Sequence, residues 1–383
     1  MEQTAPKAKI ANKKLLTNAT EKKLNLYFMP RDTQGSGFYR MLLPASIIKD
    51  NNLANVEINP NLNQKLTEWA DVIIVQRAAD TDFYEFFEYA QAQGKIIIYE
   101  IDDLLYGIQT NNPGYTSWAP QHPRLARALR LMSMANHITV TTDRLANEYY
   151  NYNKNIFVLP NYLDAALWDT PKGWTASDWD DYYIKKNDDT VRIGWMGGAS
   201  HRNDLEMIAP VLTSLAKKHK NVKIIIMGYD AHDIFAKIPL AQAVCPHCCK
   251  EGQLQIEPGV GILDYPAKLK SLALDIGIAP LFEIAFSECK SDLKLKEFAA
   301  LGIPVVASNI KPYSKSLQNG LTGYLAEDGK EWFNYLELLV KSKNTREELG
   351  RNARLWYEKN TIDKHIHKWI KAYEQAVNRL PQW

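Results

Sequence analysis

This sequence contains few cysteines, no long apolar run and no large net charge. The four cysteines among 383 residues are too few, and too clustered, for the disulfide framework of a secreted domain. No segment approaches the roughly 18 consecutive apolar residues needed to span a bilayer. The first residues also lack the apolar core of a signal peptide. We therefore expect a cytoplasmic protein without a transmembrane segment.

The formal net charge of +2 gives no general electrostatic reason to expect nucleic-acid binding. Lysines are nevertheless concentrated in residues 1–23, which we predict to be a basic, solvated and partly disordered arm. These are Lys7, Lys9, Lys13, Lys14, Lys22 and Lys23. Contact of the arm with an anionic acceptor or a membrane surface is the alternative interpretation.

Short apolar runs alternate with helical stretches along the chain. The runs VIIVQ (from Val72) and KIIIYE (from Lys95) flank the helical stretch DFYEFFEYAQAQ, and VRIGWMG and KIIIMG continue the pattern further on. This alternation predicts parallel sheets covered by helices. At 383 residues the chain is long enough for two domains, and its hydrophobic fraction of 46% suits globular packing. The sequence therefore predicts an α/β protein.

One stretch, from Asp275 to Ser308, reads as strand, loop, helix, turn and strand. We predict that Ser291 caps the helix and that Gly302 ends it in the left-handed conformation. Lys294 and Glu297 share one helix face just outside a strand's carboxyl end, where open α/β sheets bind ligands. The spacing alone also fits a solvated Glu297 that is paired with Lys294.

The sequence KSDLKLKEFAALGIPVVAS, followed by NGLTGYLAEDG, resembles the C-terminal nucleotide-sugar site of retaining GT-B glycosyltransferases (glycosyltransferase group 1, family 4-like). The resemblance implies that Glu297 binds the ribose hydroxyls of the donor. It places Lys290, Ser291 and Lys294 beside the phosphates and the sugar. Many members hold the transferred sugar with a glutamate eight residues before Glu297; here that residue is Cys289, next to Glu288.

The resemblance implies two Rossmann-like domains that face each other across a cleft. We place the N-terminal, acceptor-side domain at 24–165, the linker at 166–189 and the nucleotide-sugar domain at 190–360. GT-B proteins commonly return a final helix to the first domain, and we expect residues 361–383 to do so.

The loop after the first predicted strand, RDTQGSGFYR, carries two glycines. Gly35 and Gly37 suit a tight turn before a helix that begins near Phe38. In the family this loop lines the sugar and acceptor side, so Gly35, Ser36 and Gly37 are expected there, with Arg40 as a phosphate or acceptor contact. An ordinary strand-to-helix turn is the alternative.

The second domain opens with GWMGGASHRNDL, in which Gly197 and Gly198 allow the backbone to approach a ligand. This motif resembles that of one branch of the family, in which the loop faces the diphosphate. We expect Ser200 and His201 to contribute hydrogen bonds, and Arg202 to replace in part the Arg and Lys pair of other branches. Two further residues, Pro258 and Gly259, fall where the family's loop contacts the base.

The run KIIIYE ends in Glu100-Ile101-Asp102-Asp103, which places acids at a strand's carboxyl end. They could act on a substrate, cap a turn or bind a metal, although a third metal ligand is not evident. By the resemblance, Asp102 occupies the place of a family histidine. We expect this acid pair, Asp102 and Asp103, to act catalytically on the reacting sugar or acceptor and not on the nucleotide. Asp102 is the better candidate, whereas Asp103 is better placed to fix the turn. Arg202 and Lys290 or Lys294 would stabilise the leaving diphosphate.

Cys245 and Cys248 have the spacing of a zinc knuckle, which His247, Cys249 or Cys289 could complete. A second cysteine pair is missing, so reduced thiols are the preferred interpretation.

These observations favour a retaining, metal-independent glycosyltransferase that needs no cofactor and uses a nucleotide-diphosphate sugar, with a UDP-sugar as the first expectation. The acceptor is left open among a glycan, a lipid-linked sugar, a protein and a modified DNA base. Nucleic acid is expected as a partner only in that last role. A nucleotide-sugar epimerase of the same fold, or an inactive sugar-nucleotide-binding protein, are the alternatives.

Overall fold

The computed structural model describes residues 23–168, 189–236 and 252–378. They form two six-stranded sheets. Every strand pairing in both sheets is parallel. The α/β fold with two Rossmann-like domains is confirmed.

The first sheet contains β1 (Asn25–Met29), β2 (Asn55–Ile58), β3 (Val72–Gln76), β4 (Ile96–Glu100), β5 (His137–Val140) and β6 (Ile156–Val158). The second contains β7 (Val191–Met196), β8 (Val222–Met227), β9 (Leu254–Glu257), β10 (Ile276–Ala279), β11 (Val305–Ser308) and β12 (Gly323–Ala326). The strand order is β2-β1-β3-β4-β5-β6 in the first sheet and β12-β11-β10-β7-β8-β9 in the second.

The helices around the first sheet are α1 (Gly35–Gly37), α2 (Leu43–Asp50), α3 (Gln64–Trp69), α4 (Asp82–Ala92), α5 (Tyr115–Trp118), α6 (Pro123–Met134) and α7 (Asp143–Tyr149). A π-helical segment, Phe38–Leu42, joins α1 to α2. Those after β7 are α8 (Arg202–Lys218), α9 (His232–Ala236), α10 (Tyr265–Ser271), α11 (Ala285–Glu288), α12 (Leu293–Ala300), α13 (Tyr313–Ser316), α14 (Gly329–Lys341), α15 (Lys343–Tyr357), α16 (Ile362–His365) and α17 (His367–Asn378).

The central strands follow their apolar runs because both faces of a parallel sheet are covered by helices. Every residue of β3 and of β4 is buried. The edge strand β2 has only Val56 buried. Its polar sequence carries little strand signal, and for that reason the sequence pattern did not indicate it.

Two predicted helix starts are displaced in the structure. The helix expected from Phe38 begins at Gly35, and a Cβ at Gly37 would lie 1.8 Å from the Asp32 carbonyl oxygen, so only glycine fits there. The N-cap of α12 is Asp292, one residue after the predicted Ser291. The end of α12 is as expected, since Gly302 follows it with a φ of 64°.

The last two helices lie against the first sheet and its neighbours. The Tyr373 ring packs edge-on against Phe28 at a centroid distance of 6.1 Å, and the N–H of Ile362 donates to the carbonyl of Leu163 at 2.9 Å. Apolar contacts of this kind connect the end of the chain to the N-terminal domain.

Three expectations concern segments outside the described residues: nearly all of the basic arm, nearly all of the linker, and the cluster of Cys245, Cys248 and Cys249. They stay predictions. Among the residues that the structure does describe, no helix is long and apolar enough to cross a membrane.

Candidate functional site

A cavity of about 550 Å³ lies between the carboxyl ends of the two sheets and is lined by both domains. Its volume is within the usual range for small-molecule sites. It brings together twelve residues expected from the sequence: Gly35, Ser36, Asp102, Asp103, Gly197, Ser200, His201, Gly259, Lys290, Ser291, Lys294 and Glu297. The predicted cleft therefore exists, and most of the candidate site residues line it.

Arg40 does not line this cavity, and the expectation that it contacts a phosphate or an acceptor is wrong. Its side chain is fully buried and forms a bidentate ion pair with Glu100, from Nε to Oε1 at 2.7 Å and from Nη2 to Oε2 at 2.9 Å. Nη1 donates to Oδ1 of Asn161 at 2.9 Å and to the Leu159 carbonyl. Because the helix starts at Gly35, position 40 lies in its second turn, on the face that packs on the sheet.

Arg202 also lies outside the cavity, contrary to the role expected for it beside a diphosphate. Its guanidinium is held by Glu206 at 2.7 Å and Asp233 at 2.6 Å, and it donates to the Tyr229 hydroxyl at 2.5 Å. As the first residue of α8 it is one helical turn from Glu206, and this local partner directs it outward. Three other expected residues, Gly37, Gly198 and Pro258, are not part of the cavity wall.

Glu297 is buried in the cavity wall between two tyrosines. The Tyr265 hydroxyl donates to Oε2 at 3.0 Å, and the Tyr39 hydroxyl, from the other domain, approaches Oε1 at 3.4 Å. Burial raises the pKa of Glu297 to about 7, although Lys294 acts in the opposite direction. The interpretation of Glu297 as a solvated surface carboxylate is therefore wrong.

Two basic groups with lowered pKa values line the same cavity as Glu297. Burial lowers the pKa of Lys294, whose Nζ donates to the carbonyl of Met196. Burial, reinforced by the Lys294 charge, lowers the pKa of His201 to about 4. Nδ1 of His201 is 2.8 Å from Oδ2 of Asp204. Since Asp204 also accepts from the Phe282 N–H at 2.8 Å, it is an acceptor that orients the imidazole.

Asp102 and Asp103 follow β4 and face these cations from the other domain. Nζ of Lys290 is 3.3 Å from Oδ1 of Asp103. Burial opposes ionisation of Asp103, but Lys290 and Arg77 outweigh it, so its pKa is lowered. Burial, and then the neighbouring Asp103, raise the pKa of Asp102 to about 6. Two adjacent carboxylates thus have different protonation behaviour, an arrangement typical of reactive sites.

Other residues of the cavity wall were not expected from the sequence. They are Gln34, Tyr39, Asn161, Met196, Met227, Gly228, Val260, Ile262, Tyr265, Leu293 and Tyr313. Gly228 could have been predicted from the sequence, because it is the glycine at the carboxyl end of the apolar run KIIIMG. In the structure, a Cβ at this position would lie 2.9 Å from the Gly197 carbonyl oxygen. The tyrosines have no such motif, and only the packing of the two domains places them at the cavity.

Residues 293–356, which include α12 and Glu297, match the family model described as glycosyl transferases group 1. This region of the chain belongs to the group 1 glycosyl transferases. The D-inositol 3-phosphate glycosyltransferase of Paenarthrobacter aurescens (strain TC1) is 31% identical to this chain over 108 residues, which are 28% of the chain. The match spans 25% of that relative's length.

Similarity to solved structures extends over both domains. Anabaena HepE, in complex with UDP and glucose, has a TM-score of 0.61 at 13% identity, over 94% of this chain and 100% of that one. The sucrose-phosphate synthase of Thermosynechococcus elongatus has a TM-score of 0.60 at 12% identity, over 94% and 100%. A putative UDP-N-acetylglucosamine 2-epimerase from Listeria monocytogenes has a TM-score of 0.52 at 11% identity, over 94% and 98%. These likenesses confirm the predicted GT-B fold.

Proposed function

We propose that this protein is a retaining glycosyltransferase that transfers a sugar from a UDP-sugar to an acceptor bound on the N-terminal side of the cleft. The observation that carries the proposal is the placement of Glu297 in the interdomain cavity, with Lys290 and Lys294 along the same side. A carboxylate beside two ammonium groups offers acceptors for ribose hydroxyls and cations for a diphosphate. The UDP in the Anabaena HepE complex supports the choice of nucleotide.

The C-terminal domain would hold the nucleotide. The Glu297 carboxylate would accept hydrogen bonds from the ribose, while Lys290, Lys294 and the first N–H groups of α12 would face the diphosphate. Positioning and charge stabilisation of the leaving group would then account for most of the rate enhancement. Asp102, on the opposite wall, would act on the acceptor hydroxyl or on the positive charge that develops at the anomeric carbon.

Replacing Glu297 with glutamine is expected to weaken UDP-sugar binding at least about 10-fold, because each charge-assisted hydrogen bond contributes about 1.5–3 kcal/mol. The pKa of about 7 adds a pH signature. Wild-type affinity should rise as the pH increases through 7, because the ionised carboxylate accepts hydrogen bonds from the ribose hydroxyls. The variant should lose this pH dependence. Calorimetry between pH 6 and 8 measures both effects.

The matched control for this change is Glu348→Gln, which alters an exposed carboxylate on α15. Its affinity should equal that of the wild type at every pH. If Glu297→Gln behaves in the same way, Glu297 has no part in nucleotide binding.

We also expect transfer to continue in EDTA. Among the described residues, no group of three or more His, Cys, Asp or Glu side chains is arranged to hold a metal ion. Lys290 and Lys294 can neutralise the diphosphate without one. Initial rates before and after chelation test this. Complete loss of activity that Mg²⁺ or Mn²⁺ alone restores would contradict it.

A panel of nucleotide sugars, screened by thermal shift, would identify the donor, because a ligand that binds the folded state raises the melting temperature. Turnover with the selected donor then tests the reaction class. Transfer to an acceptor with the anomeric configuration kept, read by NMR, is the expected result. Conversion of the nucleotide sugar to a free isomer without any acceptor would favour the epimerase alternative.

A further inference from the structure

Residues 288–291, which begin at the last residue of α11 and lead toward α12, are docked on the N-terminal domain; we call them the docked loop. Nε of Arg144 pairs with Oε2 of Glu288 at 3.1 Å. The Thr142 hydroxyl donates to the Cys289 carbonyl at 3.0 Å, and Nδ2 of Asn161 donates to the Ser291 hydroxyl at 3.0 Å. The side chain of Cys289 is buried in the apolar core of the N-terminal domain.

The carboxylates at the two ends of the docked loop do not line the cavity. Glu288 points to Arg144, and Asp292 pairs with Lys296 and accepts from the Ser316 hydroxyl at 2.6 Å. Within the part of the chain that the structure describes, Glu297 is the one C-terminal carboxylate in the cavity wall. It is held by its two tyrosines, so the C-terminal domain presents cations at the Lys290 end.

Asp103 supplies the missing negative group at that end. Its carboxylate is 3.3 Å from the Lys290 ammonium, and about one-third of its side chain, 31%, remains exposed. The backbone beneath it is fixed, because the Tyr149 hydroxyl donates to the Asp103 carbonyl at 2.8 Å. A sugar whose diphosphate lies against Lys290 and Lys294 would therefore have the Asp103 carboxylate within reach of its hydroxyls.

We infer that Asp103 is a specificity-determining residue for the donor sugar, which accepts hydrogen bonds from sugar hydroxyls across the cleft while Lys290 holds it in place. This inference rests on the proposed function and assigns the sugar half of the same site to the N-terminal domain. Asp103 suits the task better than Asp102 because the adjacent ammonium keeps it ionised, and an ionised carboxylate accepts hydrogen bonds with both oxygens. The docked loop keeps the two sides at this distance.

The test compares UDP with UDP-glucose as probes in calorimetric titrations of the full chain. Asp103→Asn should weaken UDP-glucose binding about 10-fold relative to UDP, as expected for loss of a charge-assisted hydrogen bond. UDP affinity should be unchanged or higher, because Lys290 becomes free to meet the phosphates. The ratio of the two dissociation constants is the readout, and retained UDP binding shows that the variant is folded.

The matched control is Glu288→Gln, the same carboxylate-to-amide change in the docked loop. Glutamine can still accept a hydrogen bond from Arg144, so the ratio should stay at the wild-type value. An unchanged ratio in Asp103→Asn, or a changed ratio in Glu288→Gln alone, would overturn the inference. Failure of the wild type to bind UDP would instead contradict the UDP-sugar proposal itself, so the two failures are distinguishable.

Discussion

Replacement of Asp102 by asparagine is expected to lower turnover by about 10²-fold or more, the usual scale for a positioned acid or base. Asparagine keeps the shape of the side chain and removes its charge. Asp102 follows β4 and lines the cavity opposite the Lys290 and Glu297 side. Donor affinity should hardly change, because the nucleotide is proposed to lie on the other domain. Steady-state kinetics together with calorimetric donor binding separate the two quantities.

The pKa of about 6 gives this prediction a second observable. If the ionised carboxylate is the active form, wild-type turnover should rise as the pH increases through about 6 and then level off. The asparagine variant should lack that rise. Asp50→Asn, which changes an exposed aspartate at the end of α2, provides the control and should retain full turnover. A folded Asp102→Asn protein with normal turnover, or one whose loss is matched by an equal loss of donor affinity, would contradict the role.

Arg40→Met should lower the free energy of unfolding by about 3–5 kcal/mol, as found when one member of a buried ion pair is removed. The change leaves the Glu100 carboxylate buried, and the Thr139 hydroxyl, which donates to it at 2.5 Å, is then its remaining side-chain partner among the described residues. It also removes the donor to Asn161 and to the Leu159 carbonyl. Burial of an uncompensated charge is the dominant cost. Urea unfolding, followed by circular dichroism, measures the loss.

The double variant Arg40→Met with Glu100→Leu provides the control, because it removes both charges together. It should recover part of the stability, and the difference from the sum of the single variants measures the coupling of the pair. A loss below about 1 kcal/mol in Arg40→Met would mean that the pair behaves like an exposed one. Arg40 would then again be a candidate for contact with ligands.

The sequence by itself determined the buried central strands of both sheets, and it indicated the residues that we propose to hold the nucleotide. Runs such as VIIVQ in β3 and KIIIYE around β4 specify buried parallel strands, because continuous apolar stretches suit a sheet covered on both faces. The carboxyl ends of such strands then predict where a ligand binds. Glu297 and Lys294 were predicted as site residues because one helix turn places them together and because the surrounding sequence resembles a known site.

Only the tertiary structure decided which charged residues reach the cavity. Arg40, Arg202 and Lys290 were all predicted from the sequence to contact ligands. In the structure, Glu100 holds the Arg40 side chain in the core, and two acids, Glu206 and Asp233, hold Arg202 outside the cavity. The pairing of Asp103 with Lys290 joins residues 187 positions apart, so no spacing rule could predict it. Local periodicity sets which residues share a face of one element. The direction of that face, and the partner that compensates each charge, depend on how the two domains pack against each other.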